Sequence, residues 1–279
     1  MAEYLTLADC PLEGISEFFE EHLSHDIADY PGGIVLPMDK PYRWTSADVV
    51  RKCKFALGKH FGQRNIKVGH AGTLDPLATG LLLVCAGKAT KVAEELQSHG
   101  KEYIAVVEFG ATTASFDLEQ PIDCTYPFGH ITKEGVLEAL TGFVGEQEQV
   151  PPTFSAKIIG GMRAYEYARS GESVELRKSI ITIDRLELLE FSPAGAAPSS
   201  NTLLPDHRSK TDLEDVRHIH NYHTSASESE GGRPTATLLI RCSKGTYIRS
   251  LARDLGLALG SGAYLTALRR TASGPFKIQ

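Results

Sequence analysis

The stretch from Gly69 to Gly87 reads GHAGTLDPLATGLLLVCAG and governs how the middle of the chain is organised. Its first half is dense in glycine, threonine, aspartate and proline, which predicts a long ordered loop. Its second half is a short continuous apolar run, which predicts a buried strand. The loop holds one carboxylate, Asp75, among small residues that let the backbone approach a ligand closely. Because Asp75 precedes Pro76, capping of a helix N-terminus is an equally ordinary role for it at this point.

The segments on either side predict strands and helices without a regular βαβ period, so the fold class is α+β. Thr45 or Ser46 is expected to begin one helix, which Gly58 can end, and Thr132 is expected to begin another. The predicted strands are GGIVLPMDK, KEYIAVVEFG, SIITIDRLELLEF and TATLLIRC, and the predicted helices are SADVVRKCKFALG, KATKVAEELQSHG, TKEGVLEALTGFVG and KGTYIRSLARDLGLALG.

The N-terminal residues 1–31 differ in charge from the body of the chain, residues 32–279. They contain eight acidic residues and no lysine or arginine, and without them the net charge of −6 would be +2. Apolar residues at helical spacing within 14–29 predict an acidic amphipathic helix, which either repels RNA or packs on the body. Residues 192–233 are rich in Ser, Pro, Gly, Asp and His, and this composition predicts a flexible insertion between two strands.

No pattern in the chain indicates a metal or a cofactor. The five cysteines are scattered and form no C-x-x-C pair. The histidines of HIHNYH, residues 218–223, lie in the predicted insertion without partner ligands, so a solvated loop is the favoured interpretation. No apolar run approaches the roughly 20 residues of a membrane helix, and no signal peptide is recognised. These observations predict a cytoplasmic protein.

Two further segments offer groups suited to a nucleobase near a carboxylate. KEYIAVVEF provides Tyr103, and CSKGTYIRSLARDL provides Tyr247 and Arg249. Aromatic stacking on a base contributes about 1–3 kcal/mol, and an arginine can hold a carboxylate ionised and oriented. Taken singly, half-buried sheet tyrosines and a surface ion-pair arginine remain open alternatives.

Four segments together resemble the successive motifs of the TruB family of tRNA pseudouridine-55 synthases. They are GHAGTLDPLATGLLLVCAGKATK, KEYIAVVEFG, CSKGTYIRSLARDLG and LRRTASGPF, and they follow the family order from about Gly33 to Phe276. The resemblance implies a large, mainly antiparallel mixed sheet with flanking helices and a central RNA-binding cleft. It also implies that Asp75 is the catalytic aspartate and that His70 helps to hold the RNA around a flipped target uridine.

The same resemblance implies roles for four residues later in the chain. Tyr103 would stack on the target base, and Tyr247 would be a second active-site tyrosine. Arg249 would pair with the catalytic aspartate, and Leu268 would line the base pocket. Residues 141–170 are similar to the mobile segment that grips RNA in this family. The expected substrate is the T-arm of tRNA, and the expected enzyme is a monomer that needs no cofactor and no protein partner.

Two departures from the family pattern limit what is carried over. KPYRWTS places Arg43 where the family usually has glycine, so a positive φ would strain the backbone there. The C-terminal PUA domain of many members is not expected in this chain. Two alternatives stay open, namely a tRNA-folding chaperone for which catalysis is secondary and a guide-dependent synthase. The first has no need of Asp75 and Tyr103, and the second usually carries a PUA domain and basic tails.

Overall fold

The computed structural model describes residues 3–155, 158–159, 162–163, 167, 176–196 and 232–278. Most of the predicted insertion at 192–233, including HIHNYH, therefore lies outside the described residues, as does part of the predicted gripping segment 141–170. The chain divides into two compact units. The first unit comprises residues 1–102 and 269–279, and the second comprises residues 103–268.

The first unit is built on strands in the order β1-β2-β4-β13, with β3 beside β4 and β14 beside β13. The pairing of β1 with β2 is parallel, whereas β2 and β3 pair antiparallel with β4, and β14 pairs antiparallel with β13. Its elements are β1 (Leu5–Thr6), α1 (Ile15–His22), a 3-10 turn (Ile27–Asp29), β2 (Ile34–Lys40), α2 (Ser46–His60), β3 (Val68–His70), β4 (Ala78–Ala86), a 3-10 turn (Gly87–Val92), α3 (Ala93–Ser98) and β14 (Phe276–Lys277).

The second unit has strands in the order β13-β5-β12-β11-β8. Strand β11 pairs antiparallel with both β12 and β8, so the observed sheet pairings are mixed but mainly antiparallel, and the α+β prediction is confirmed. Its elements are β5 (Lys101–Phe109), β6 (Ala111–Thr113), β7 (Ile122–Thr125), α4 (Lys133–Thr141), β8 (Gly145–Gln149), β9 (Ile158–Ile159), β10 (Met162–Arg163), β11 (Ser179–Ser192), β12 (Thr235–Cys242), α5 (Ile248–Ala258) and β13 (Ala263–Ser273), of which β5 and β13 contribute residues to both units.

Strand β4 forms the centre of the first unit because every one of its nine residues is buried. The apolar run predicted a buried strand, and the strand extends further back, to Ala78, than its composition indicated. Side chains from both flanks pack with it: the buried cluster is Val35, Ala71, Leu81, Leu83, Cys85, Ala89 and Leu96. A strand covered on both faces needs continuous rather than alternating apolar residues, which is the pattern found here.

The acidic N-terminal segment packs into the first unit. Phe19 on α1 is fully buried, Ile15 and Leu23 are nearly so, and β1 extends the sheet beside β2. The helix is shorter than its periodicity suggested, since it ends at His22 and only a 3-10 turn follows. The apolar face of α1 therefore serves as ordinary core packing, and the effect of the acidic charge on RNA binding stays a prediction.

Helix α2 begins at Ser46 with Thr45 as its N-cap. The Thr45 hydroxyl accepts from the Asp48 N–H, and the Asp48 carboxylate accepts from the Thr45 N–H, which completes a capping box. The prediction that Gly58 ends this helix is wrong. The helix continues to His60, and Gly62, at a φ of 63°, takes the left-handed conformation that terminates it.

Arg43 adopts a φ of 65°, the left-handed conformation that glycine tolerates best. We expect Arg43→Gly to be more stable than Arg43→Ala by about 1 kcal/mol, because only glycine avoids the Cβ clash there. Both variants remove the same guanidinium, which lies 5.6 Å from the Tyr42 ring centroid, so their difference isolates the backbone. Urea denaturation of the two variants measures the difference in their free energy of unfolding. Equal stability, or a more stable alanine variant, would show that this φ has no steric cost.

Candidate active site

Asp75 is half-buried in a loop, residues 71–77, that joins β3 to β4 and is called here the Asp75 loop. The backbone N–H of Ala78 donates to the Asp75 carbonyl at 3.1 Å, so Asp75 starts a turn that leads directly into β4. The helix-capping alternative is therefore wrong, because no helix follows Pro76.

Lys40 at the end of β2 holds one side of this loop. Its ammonium donates to the carbonyls of Trp44 at 2.6 Å, Pro41 at 2.9 Å and Pro76 at 3.2 Å. Complete burial lowers the pKa of Lys40 to about 7, and the carboxylate of Asp75 opposes that change. Three carbonyl acceptors match the three N–H bonds of a charged ammonium. Lys40 thus ties the loop after β2 to the Asp75 loop.

Arg270 on β13 holds the other side of the Asp75 loop. Its side chain is only 1% exposed, and its Nε donates to the Leu81 carbonyl at 2.6 Å. Its two terminal nitrogens donate to the carbonyls of Gly72 at 3.2 Å and Thr73 at 3.4 Å. A guanidinium has five N–H donors in a fixed plane, which suits it to join a strand to the loop beside it.

Ser46 completes the support from within α2. Its hydroxyl donates to the Leu74 carbonyl at 3.1 Å and accepts from the Leu74 N–H at 2.9 Å. With the turn at Asp75, every backbone carbonyl from Gly72 to Pro76 accepts a hydrogen bond. A loop with its carbonyls satisfied in this way is held in one conformation before any ligand arrives, which is what a catalytic side chain requires.

His70 lies on β3, directly before the Asp75 loop, and is partly buried. Burial lowers its pKa, and the positive charge of Arg270 lowers it further, so the ring is neutral around pH 7. Within the described part of the chain its Nδ1 is buried without a hydrogen-bond partner. A neutral imidazole offers a stacking face and one N–H donor, and both suit a contact to RNA.

Arg249 in the second unit is the second residue of α5 and is 5% exposed. Its terminal nitrogens donate to the carbonyls of Ser115 at 3.0 Å and Phe154 at 2.8 Å, and its Nε lies 3.7 Å from a carboxylate oxygen of Asp117. Asp117 is itself buried and accepts from the Glu119 N–H at 2.9 Å. No sequence pattern distinguishes Asp117 as a partner of Arg249. The predicted pairing of Arg249 with Asp75 stays a prediction.

Tyr247 is the residue before α5, and its backbone is held by a buried side chain. The Gln149 side chain accepts from the Tyr247 N–H at 2.8 Å and donates to the Tyr247 carbonyl at 3.1 Å. Tyr103 on β5 and Leu268 on β13 are each 9% exposed. The described second unit thus contains Tyr103, Tyr247, Arg249 and Leu268, and the first contains His70 and Asp75.

Comparison with known proteins identifies the family. The profile of the TruB family pseudouridylate synthase N-terminal domain matches residues 59–202, and that of the tRNA pseudouridylate synthase B C-terminal domain matches residues 249–279. Proteins named tRNA pseudouridine synthase B are similar over 90% of this chain and 90% of their own length. The identity is 46% for that of Phocaeicola vulgatus and 47% for that of Bacteroides thetaiotaomicron.

Solved structures extend the likeness to the fold. A chain in a crystal structure of a Cbf5-Nop10-Gar1 complex is 27% identical, with a TM-score of 0.55, over 89% of this chain and 50% of that one. A chain of an H/ACA RNP bound to a substrate RNA containing 2'-deoxyuridine is 26% identical, with a TM-score of 0.51, over 89% and 49%. This chain spans about half the length of both. None of the described helices is long and apolar enough to cross a membrane. With two family profiles matched and relatives nearly half identical along nine-tenths of its length, the chain belongs to the TruB family of pseudouridylate synthases.

Proposed function

We propose that this protein is a tRNA pseudouridine synthase that isomerises uridine 55 in the T-loop, with Asp75 as its catalytic carboxylate. The observation that carries the proposal is the Asp75 loop, in which a half-buried carboxylate is presented by a backbone held at every carbonyl from Gly72 to Pro76. The names of the relatives support tRNA as the substrate class.

The reaction breaks the glycosidic C–N bond, turns the detached uracil and rejoins it to the sugar through carbon. No atom is gained or lost and no redox change occurs, so neither a redox cofactor nor an energy source is required. The Asp75 carboxylate acts either as a nucleophile or as a base that removes a proton from a sugar intermediate. Both roles need a carboxylate held in a fixed position, and the Asp75 loop supplies that support.

The target uridine must leave the T-loop before its glycosidic bond is accessible, at a cost of a few kcal/mol in lost stacking. Stacking on Tyr103 and apolar contact with Leu268 offset that cost in the proposed mechanism, since stacking on an aromatic ring contributes about 1–3 kcal/mol per base. Arg249 supplies a fixed positive charge because two carbonyls and Asp117 already hold its guanidinium. Such preorganisation places charge without a rearrangement during the reaction.

We expect the purified chain alone to convert an unmodified tRNA transcript to a product with one pseudouridine, at position 55. The experiment maps pseudouridine by base-specific chemical labelling and primer extension on three substrates: the transcript, the same transcript with cytidine at position 55, and an isolated T-arm hairpin. Product is expected on the first and the third only, without added metal or guide RNA.

Pseudouridine at a different position would overturn the site assignment but keep the activity. A requirement for a guide RNA or a second protein would favour the guide-dependent alternative. Binding and refolding of tRNA without any pseudouridine would favour the chaperone alternative.

A further inference from the structure

Glu20, His25 and His60 converge in the first unit, although they lie on three separate segments. Glu20 is on α1, His25 follows that helix, and His60 is the last residue of α2. One ligand atom from each lies within 4.8 Å of the others. His60 Nδ1 is 3.0 Å from Glu20 Oε1, and His25 Nε2 is 3.4 Å from Glu20 Oε2. This cluster belongs neither to the family motifs nor to the Asp75 loop.

Backbone carbonyls fix the protonation of the other two ring nitrogens. His60 Nε2 lies 3.0 Å from the Ser24 carbonyl, and His25 Nδ1 lies 3.4 Å from the His60 carbonyl. A carbonyl oxygen only accepts hydrogen bonds, so each of these nitrogens carries a proton. The remaining nitrogen of each ring faces Glu20. Metal-binding histidines show this same arrangement, with the second nitrogen donating to a carbonyl or a carboxylate.

The two rings are stacked, with centroids 4.7 Å apart, and each places its remaining nitrogen next to the Glu20 carboxylate. The side chain of His60 is 1% exposed, so the surrounding packing holds this ring in place. A cation bound between the three groups would contact all of them at once.

We propose that Glu20, His25 and His60 form a structural site for a divalent transition metal of the zinc class. Imidazole nitrogens and a carboxylate oxygen are common zinc ligands, with bonds of about 2.0–2.2 Å in tetrahedral geometry. His60 Nδ1 and His25 Nε2 approach different oxygens of Glu20, at 3.0 and 3.4 Å, so a metal between the rings would have both carboxylate oxygens within reach. Glu20 and His25 are more than half exposed, so water has access to the fourth position.

A metal here would fasten the acidic N-terminal segment to the end of α2. Glu20 and His25 lie on either side of the C-terminus of α1, while His60 belongs to the helix that supplies Ser46 to the Asp75 loop. The role is structural, and this site is independent of the proposed isomerase chemistry, which needs no metal. The result of a metal-binding test is therefore independent of whether the protein modifies tRNA.

The test titrates the metal-free full-length protein with Zn²⁺ by calorimetry, and with Co²⁺ to record the absorption of a four-coordinate ion. Four variants are compared with the wild type: Glu20→Gln, His25→Ala, His22→Ala and the triple variant His218→Ala, His220→Ala, His223→Ala. His22 is the matched control because it lies on α1, as Glu20 does, but is hydrogen-bonded to the Phe18 carbonyl and stacked on the Phe18 ring.

We expect one tight equivalent of metal in the wild type, in His22→Ala and in the triple variant. Binding should weaken at least tenfold in Glu20→Gln and His25→Ala, both of which alter exposed side chains and should stay folded by circular dichroism. Zinc should raise the Tm of the wild type and of His22→Ala, but not of His25→Ala. The absence of a tight equivalent in the wild type, unchanged binding in His25→Ala, or its loss in the triple variant would each overturn the proposal.

Discussion

Replacing Asp75 by asparagine is expected to abolish pseudouridine formation while tRNA affinity stays unchanged. Asparagine is nearly isosteric, but its amide neither ionises nor attacks carbon. The backbone of the Asp75 loop is held through its carbonyls, and none of those hydrogen bonds requires the carboxylate. The loss of a catalytic nucleophile typically lowers turnover by roughly 10⁴-fold or more. Single-turnover assays on tRNA, with filter binding in parallel, measure both quantities.

Glu95→Gln provides the matched control, since it removes one negative charge from an exposed carboxylate on α3 and should leave the rate unchanged. Mass spectrometry of the Asp75→Asn protein is needed because deamidation would restore the aspartate. Turnover that persists in a preparation free of deamidated chain would refute the catalytic assignment.

Gly80→Ala is expected to lower the free energy of unfolding by at least about 2 kcal/mol. Gly80 has a φ of 99°, and a Cβ there would lie 2.3 Å from the backbone carbonyl oxygen of Arg270. The backbone of Arg270 cannot rotate out of the way as a flexible side chain can. Strands β4 and β13 would therefore have to separate where Arg270 contacts the Asp75 loop. The variant should therefore lose activity as well as stability.

Gly69→Ala is the control on the other side of the same loop. Gly69 has no positive φ, and a Cβ there would meet nothing within 4 Å. Its effect on the free energy of unfolding is expected to stay within about 0.5 kcal/mol. Urea denaturation of the two variants makes the comparison. Similar midpoints for Gly80→Ala and Gly69→Ala would show that β4 and β13 are not packed as closely as described.

Local patterns were enough to predict much of the fold. The apolar run at 81–87 predicts the buried strand β4, and Thr132 correctly marks the start of α4 because its hydroxyl accepts from the Gly135 N–H. The failures arose where distant contacts decide the conformation. Residues 68–70 and 78–80 were assigned to a loop by their small residues, yet both pair in the sheet, since β4 and its neighbours provide partners that composition does not reveal.

Only those residues of the candidate site that lie in a recognisable sequence motif could be predicted. Asp75 is noticed as the one carboxylate of a glycine-rich loop, whereas Arg270 reads as an ordinary residue of a strand. Its role depends on contacts with residues 189 to 198 positions earlier in the sequence. Asp117 lies in a polar loop and is distinguished only by its approach to Arg249. Long-range contacts of this kind leave no local pattern that composition or periodicity can detect.

The position of Arg270 also bears on how the protein is made. The first unit contains residues 1–102 together with residues 269–279, so the ribosome must synthesise residues 103–268 before that unit can gain its second segment. Domains generally fold as units during synthesis. Here β4 would lack its neighbour β13, and the carbonyls of Gly72 and Thr73 would lack their guanidinium, until the segment that contains Arg270 emerges. The Asp75 loop would therefore complete its hydrogen bonds only after Arg270 has been synthesised, and a nascent chain cut short before Arg270 would lack this support.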